Sequence, residues 1–312
     1  MIRTLLILGW FSWCWGPWHS SKPVLFAQVP SPVTLPESPV ATPPGDTAEF
    51  SFDKFGGIEY ASGDDYRLTL DVYVPEGAGP YPAILAVHGG AWRSGSKLIW
   101  FRHARKLARA GFVVVAINYR KAPAFQFPAQ LYDCKAAVRW MRNNGKQYKI
   151  DPDQMGALGY SAGGHLAAML GTTDPQDGLE GAMASEDRQI STRLQAVASG
   201  GAVCEFSWID ENSNALGYWL GESRGDAPEL YKRASPISYV TADDPPFYFF
   251  HGGRDWLVPD SSPRAMHAQL QKQSVNSKYQ QYDEMGHMAL FSHLDAMDPV
   301  IDFFNKTLKR RH

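Results

Sequence analysis

Three kinds of hydrophobic pattern follow one another along this chain of 312 residues. The first is a single apolar, tryptophan-rich run, Leu5 to Trp18, behind Arg3. The second, residues 28–49, is a proline-rich stretch without an apolar period, and it reads as a low-complexity linker. From Phe50 onward short, nearly continuous apolar runs alternate with longer amphipathic ones. Ile58–Tyr60 and Tyr66–Pro75 read as a hairpin, the second run alternating apolar and polar positions until Pro75 stops it. Tyr81–Val87 and Phe112–Ile117 are apolar almost throughout, as strands buried on both faces are. Further strands are expected at Met155–Gly159, Leu194–Ser199, Pro246–Phe250 and Tyr279–Tyr282. Helices are expected over Trp100–Ala110, Pro128–Asn143, Ala162 to about Leu170, Ser262–Lys272 and Asp295–Leu308. This alternation gives an α/β fold: a mostly parallel central sheet covered by helices on both faces, with antiparallel edge strands from the leading hairpin. Residues 172–240 are polar and mixed apart from one short strand, and are expected to hold a small cap insertion.

One of the expected strand–helix junctions carries chemistry. Gly159, Tyr160, Ser161, Ala162 and Gly163 form a G-x-S-x-G pentapeptide between an apolar strand and an Ala/Leu/Met-rich helix. Such a junction lifts a serine hydroxyl out of the core at the end of a sheet. A serine needs a histidine to accept its proton and an acid to fix that histidine's tautomer. Asp255 follows the strand PFYFF, and His287 follows the strand QQYDE, so both fall at the same sheet edge, in the order acid then base. Asp283, Glu284 and Asp260 are weaker rivals for the acid. The reaction also needs backbone N–H groups aimed at the developing oxyanion. Ala162 supplies one. Gly90 and Ala91, in the loop HGGAW after Tyr81–Val87, supply the others, with His88 and Gly89 supporting that loop. His251 and His165 read as structural. Trp92, Trp208, Trp219 and Trp256 are candidates for the substrate pocket or its rim, with Tyr218 beside them.

Composition narrows the partners. The formal net charge is −2 and no long basic run occurs, so nucleic acid is not expected. No H-E-x-x-H, C-x-x-C, calcium-loop or G-x-G-x-x-G pattern appears, so neither a metal nor a cofactor is expected. The substrate is therefore read as a small molecule or an oligosaccharide ester; the oligomeric state is open. The apolar run after Arg3 reads as a secretory signal over residues 1–27, leading to a periplasmic or extracellular protein without a stable membrane span. An uncleaved N-terminal anchor is the alternative. Residues 50–312 then form the catalytic domain. Cys134 and Cys204 are either a pair or two separate buried thiols.

Taken together, LDVYVP (70–75), VHGGAW (87–92), INYR (117–120), GYSAGGHLA (159–167), HGGRDWLVP (251–259) and GH (286–287) resemble the α/β-hydrolase superfamily. Within it they are most similar to the hormone-sensitive-lipase-like and bacterial feruloyl and acetyl esterase-like serine esterases. The resemblance implies the α/β-hydrolase fold, Ser161 as nucleophile, Asp255 as acid, His287 as base, and Gly90, Ala91 and Ala162 as oxyanion donors. It implies ester hydrolysis through an acyl-enzyme, on small acyl or aromatic esters, including acetylated or feruloylated polysaccharide fragments. Ala91 stands where lipase-like members often have a third glycine. The HGG-x-W form also occurs in arylformamidases, which makes a formamide hydrolase one alternative. A prolyl-oligopeptidase-class exopeptidase and a non-enzymatic binding module on the same fold are the others.

Overall fold

The computed structural model describes residues 50–181, 187 and 189–309. The signal and linker readings, residues 1–27 and 28–49, lie outside the described residues. Eight strands form one sheet: β1 (Phe52–Gly63), β2 (Tyr66–Pro75), β3 (Tyr81–Val87), β4 (Val113–Ile117), β5 (Ile150–Tyr160), β6 (Ala196–Gly200), β7 (Phe247–Gly252) and β8 (Ser277–Tyr282). Their order is β1-β2-β4-β3-β5-β6-β7-β8. β1–β2 and β2–β4 pair antiparallel, and every pair from β4 to β8 is parallel. The expected mostly parallel α/β sheet is thus present, but only β1 is an antiparallel edge, because β2 is paired on both sides.

The central strands have no hydrophilic face. Every residue of β4 and of β6 is buried, which explains the unbroken Val, Ala and Ile of β4 and the Ala-Val-Ala start of β6. One sheet face packs on α1 (Phe101–Arg109) and α8 (Asp298–Leu308), through Leu107, Ala108, Val300 and Phe304. The other face packs on α2 (Ala129–Asn143), α3 (Ala162–Thr172) and α6 (Ser261–Lys272), through Leu131, Leu166 and Met266. Between β6 and β7 the chain forms α4 (Gly217–Leu220), α5 (Pro228–Arg233) and a 3₁₀ turn, Pro236–Tyr239. This is the helical cap expected from residues 172–240. A short helix, α7 (His287–Ser292), follows β8.

Element boundaries differ from the expected ones for local reasons. β1 starts at Phe52 rather than Ile58, because the pairing shifts register between Phe55 and Ile58 and so accommodates Gly56-Gly57. The Gly57 N–H donates to Asp71 Oδ1 at 3.0 Å, a side-chain substitute for the ladder that no apolar alternation announces. The last helix starts at Asp298 rather than Asp295. Leu294–Met297 is a separate 3₁₀ turn, and Pro299 sits in the first turn of α8. Cys134 and Cys204 are two separate, buried free thiols.

The excursion after α3 is tied down by a buried ion cluster. Glu180 bonds both Lys135 and Arg139 of α2, and Thr192 Oγ1 donates to its carboxylate at 3.3 Å. The Lys135 side chain is fully buried, and burial holds its amine below the usual lysine range despite the opposing pull of Glu180. Removing the carboxylate leaves two cations unpaired away from water. Glu180→Ala should therefore destabilise the fold by about 3–5 kcal/mol, read from urea unfolding. A loss within 0.5 kcal/mol, the usual range for surface sites, would show that water reaches the cluster.

Candidate active site

Ser161 stands between β5 and α3 with φ 58 and ψ −125, a backbone conformation unfavourable for a residue with a side chain. Its N–H donates to the Gly200 carbonyl at 2.8 Å, and its carbonyl accepts the His165 N–H at 3.0 Å. The turn closes only because residues 159 and 163 lack side chains. A Cβ on Gly159 would overlap the Gly163 carbonyl, and one on Gly163 would overlap the Val87 carbonyl at the end of β3. This is the geometric reason for the G-x-S-x-G pattern.

The acid and the histidine meet across the same edge. Asp255 Oδ2 accepts from His287 Nδ1 at 2.6 Å. Asp255 Oδ1 accepts the N–H groups of Leu257 and Val258 at 2.9 and 3.0 Å. Burial opposes ionisation of this carboxyl, but the bonds from His287 and Val258 outweigh it and hold Asp255 below the usual carboxylate range. With Nδ1 committed to the carboxylate, the ring turns Nε2 away from it. The Tyr160 hydroxyl donates to the His287 carbonyl at 2.6 Å and so fixes the start of α7. Gly201 lies close enough that a Cβ there would come within 3.0 Å of His287 Cε1.

The loop after β3 is set by its carbonyls. In a trans peptide the N–H points opposite to the preceding C=O. The His88 carbonyl accepts the Tyr119 hydroxyl at 2.9 Å. The Gly89 carbonyl accepts from His88 Nδ1 at 2.7 Å, so the Gly90 N–H is turned the other way. The Gly90 carbonyl accepts the N–H of Arg93 and of Ser94 at 3.1 and 2.9 Å, which turns the Ala91 N–H outward in the same manner. Gly90, Ala91 and Trp92 have φ of 119, 50 and 57, so the turn is a left-handed one in which glycine at 90 relieves only part of the strain. A Cβ on Gly89 would lie 3.1 Å from Ser161 Cβ, so this loop runs directly beside the serine. Ala162, the first residue of α3, adds an N–H at a helix N-terminus.

The four tryptophans separate into two classes. Trp92 and Trp219 stack with ring centroids 3.8 Å apart and planes 2° apart, and both are buried. The expectation that they line a substrate pocket is corrected for Trp219, which has no exposed surface, and for Trp92, which is 3% exposed. They pack against each other at the end of the loop after β3. Trp208 and Trp256 are 40% and 84% exposed, and Trp256 adjoins Asp255 in the chain. His165 stands edge-on to the stack. Its Nδ1 accepts from Trp92 Nε1 at 3.2 Å and its Nε2 faces the Ala234 carbonyl at 2.7 Å, so the proton resides on Nε2. Two contacts go beyond the sequence reading of Tyr218 as a pocket candidate and His251 as structural. The Tyr218 hydroxyl donates to the Ala91 carbonyl at 2.9 Å, latching α4 to the loop. His251 Nε2 lies 3.5 Å from Asp255 Oδ2 while facing the Val258 carbonyl at 3.1 Å.

A protein-family model described as BD-FAE matches residues 70–270, which hold the loop after β3, Ser161 and Asp255. The chain belongs to the BD-FAE family. Among curated proteins this BD-FAE chain is similar to Esterase LipQ of Mycobacterium tuberculosis, 35% identical over 226 residues, 68% of this chain and 52% of LipQ. It is also similar to Esterase LipC of the same organism, 33% identical over 65% of this chain and 52% of LipC. The chain spans about half the length of these curated relatives. Among solved structures it is similar to a truncated carbohydrate esterase from gut microbiota. The identity is 26% at a TM-score of 0.73, covering 85% of this chain and 98% of that one. The bifunctional GH43-CE protein of Bacteroides eggerthii is 27% identical at a TM-score of 0.75, covering 81% of this chain and 35% of that one. Sheet order and likeness together establish the α/β-hydrolase fold.

Two buried histidines of this BD-FAE site make a pH prediction. Burial lowers both His88 and His165 to about 4. The unfolded chain, with histidine near 6.5, then binds protons that the folded chain refuses. Their contribution is complete above about pH 6.5 and is lost as pH falls toward 4, at about 1.4 kcal/mol per pH unit for each group. The depressed Asp255 carboxyl acts in the same direction at lower pH. His165→Gln keeps an acceptor for Trp92 and a donor for Ala234 but no titrating group. Urea unfolding should show its slope of stability against pH, between 6 and 5, reduced by about 1.4 kcal/mol per unit. An unchanged slope would show that His165 does not stay neutral in the fold.

Proposed function

We propose that this protein is a serine carboxylic-ester hydrolase acting through an acyl-enzyme, with Ser161 as nucleophile, His287 as general base and Asp255 as the orienting acid. The observation that carries this reading is the Asp255–His287 hydrogen bond at 2.6 Å, at the sheet edge where Ser161 occupies a strained turn. Ser161 Oγ attacks the ester carbonyl carbon and its proton passes to His287 Nε2. The negative charge on the carbonyl oxygen is met by the N–H groups of Gly90, Ala91 and Ala162. As the tetrahedral intermediate collapses, His287 returns the proton to the departing alcohol. Water then attacks the acyl-enzyme with His287 again as base, which releases the acid and restores the serine.

The substrate class is read as small acyl or aromatic esters, including acetylated or feruloylated polysaccharide fragments. Support comes from the BD-FAE match, from the carbohydrate esterase among the structural relatives and from Trp256, exposed beside the acid. Export to the periplasm or beyond is part of the same reading, supported by the apolar run behind Arg3. A mature protein beginning at Met1 on N-terminal sequencing would overturn export with cleavage.

Ser161→Ala and His287→Ala should each lower kcat by roughly four to six orders of magnitude, and Asp255→Asn by roughly four. The circular dichroism spectra should be unchanged. A fluorophosphonate probe should label Ser161 in the wild-type protein and not in Ser161→Ala. Release of acetate or ferulate from xylan fragments tests the substrate class. Turnover of simple esters without that release would remove polysaccharide from the reading, and near-normal kcat in His287→Ala would remove the base.

A further inference from the structure

The outer face of α1 has no part in the chemistry, and its composition is unusual for a chain of net charge −2. Buried His103, Ala104, Leu107 and Ala108 form its inner face. The outer face carries Arg102, Arg105 and Arg109 at helical spacing, with Lys106 beside them. With Leu294, these four cations line a groove of about 350 Å³. Lys106 is paired, 2.7 Å from Asp298 and 3.8 Å from Asp295, and the guanidinium of Arg105 lies 5.2 Å from the centroid of the Phe101 ring. Compensation of the helix dipole accounts for Lys106 and Arg109 in the last turn. It does not account for Arg102 and Arg105, or for what precedes them. Leu98, Ile99 and Phe101 are 65%, 40% and 43% exposed, three adjoining large apolar residues at the N-terminal end of the same face.

Both ends of the described chain meet the other end of this face. The Phe50 N–H donates to the Arg109 carbonyl at 2.8 Å, and Lys309 Nζ donates to the Ala110 carbonyl at 2.9 Å. Upstream of Phe50 the sequence runs back through the proline-rich stretch to the apolar segment Leu5–Trp18; downstream of Lys309 come Arg310 and Arg311. Cations and exposed apolar side chains thus share the outer side of α1, and both ends of the described chain lie at its C-terminal end.

We propose that the outer face of α1 docks on an anionic phospholipid bilayer. The arginine groove receives headgroup phosphates, and Leu98, Ile99 and Phe101 enter the boundary between headgroups and acyl chains. A basic, apolar-tipped helix face lying in the plane of the interface is a known physical solution for peripheral binding. It needs no membrane span, and no helix among the described residues is long and apolar enough to provide one. An acidic polysaccharide would satisfy the cations but would leave the three exposed apolar residues unused.

The test compares full-length wild-type protein with Arg102→Glu/Arg105→Glu, by flotation with vesicles of phosphatidylcholine alone or mixed with phosphatidylglycerol. The wild-type protein should prefer the phosphatidylglycerol vesicles, and 0.5 M NaCl should remove that preference. The double variant should bind them at least about thirtyfold more weakly, at about 1 kcal/mol for each basic residue lost. Turnover of a soluble ester should be the same in both proteins. Arg102→Gln/Arg105→Gln serves if the charge reversal impairs folding. Equal binding by wild type and variant, or retention on polygalacturonate without a preference for phosphatidylglycerol vesicles, overturns the proposal.

Discussion

The sheet edge that carries Ser161 depends on one close approach of backbones. The first turn of α3 lies so near the end of β3 that the Val87 carbonyl occupies the space of a side chain at position 163. With that contact go the positive φ of Ser161, the bond from its N–H to the Gly200 carbonyl, and the placement of the Ala162 N–H at a helix start. The strain at Ser161 is held by its surroundings rather than by the turn itself. β3 and β5 pair in parallel from Ala83–Met155 to Val87–Gly159, and these strand ends are buried. Relaxing the turn would require moving strands that have no free surface to move into.

The histidines at this edge are sorted by what faces them. His88, His165 and His251 each face a backbone carbonyl, of Gly89, Ala234 and Val258. A neutral N–H satisfies a carbonyl. That bond does not offset the cost of burying an imidazolium, and all three are shifted downward by burial. Of the four, only His287 donates a short hydrogen bond to the Asp255 carboxylate, from Nδ1 at 2.6 Å; His251 Nε2 lies 3.5 Å from the same oxygen. In the proposed cycle this histidine must become cationic and return, and it has the carboxylate as its direct hydrogen-bond partner. The other three act as neutral struts, holding the oxyanion loop, the first turns of α3 and the acid loop.

How much of this was legible in the sequence depended on whether the signal was local. The strand–turn–helix order, the pentapeptide and the placement of Asp255 and His287 after strands are properties of short segments, and the structure brings these residues to one edge. The apolar runs gave the sheet for the same reason, since strands such as β4, VVVAI, have no polar position to disguise them. Long-range compensation was not legible. Gly56-Gly57 interrupts β1 in the sequence, and Asp71, 14 residues on from Gly57 in the paired strand β2, bridges the gap. Trp219 reads as a rim aromatic until its partner at Trp92 is known, because stacking between residues 127 positions apart leaves no trace in either segment.

That stack also limits how the cap can vary. Trp219 lies flat on Trp92, Tyr218 bonds the Ala91 carbonyl, and the Phe127 N–H donates to the Trp219 carbonyl at 3.0 Å. Trp92 in turn ends the left-handed turn that orients the Gly90 and Ala91 N–H groups. A cap is usually regarded as the part of such a fold that sets specificity while the sheet edge supplies chemistry. In the proposed cycle α4 serves both, since Tyr218 and Trp219 also hold the loop whose N–H groups would meet the oxyanion. A change in α4 that displaces either residue would loosen the Ala91 carbonyl and, through Trp92, the turn that orients those N–H groups. On that reading, rate is tied to the cap through this stack, whereas Trp208 and Trp256, both exposed and outside it, can change without disturbing the turn.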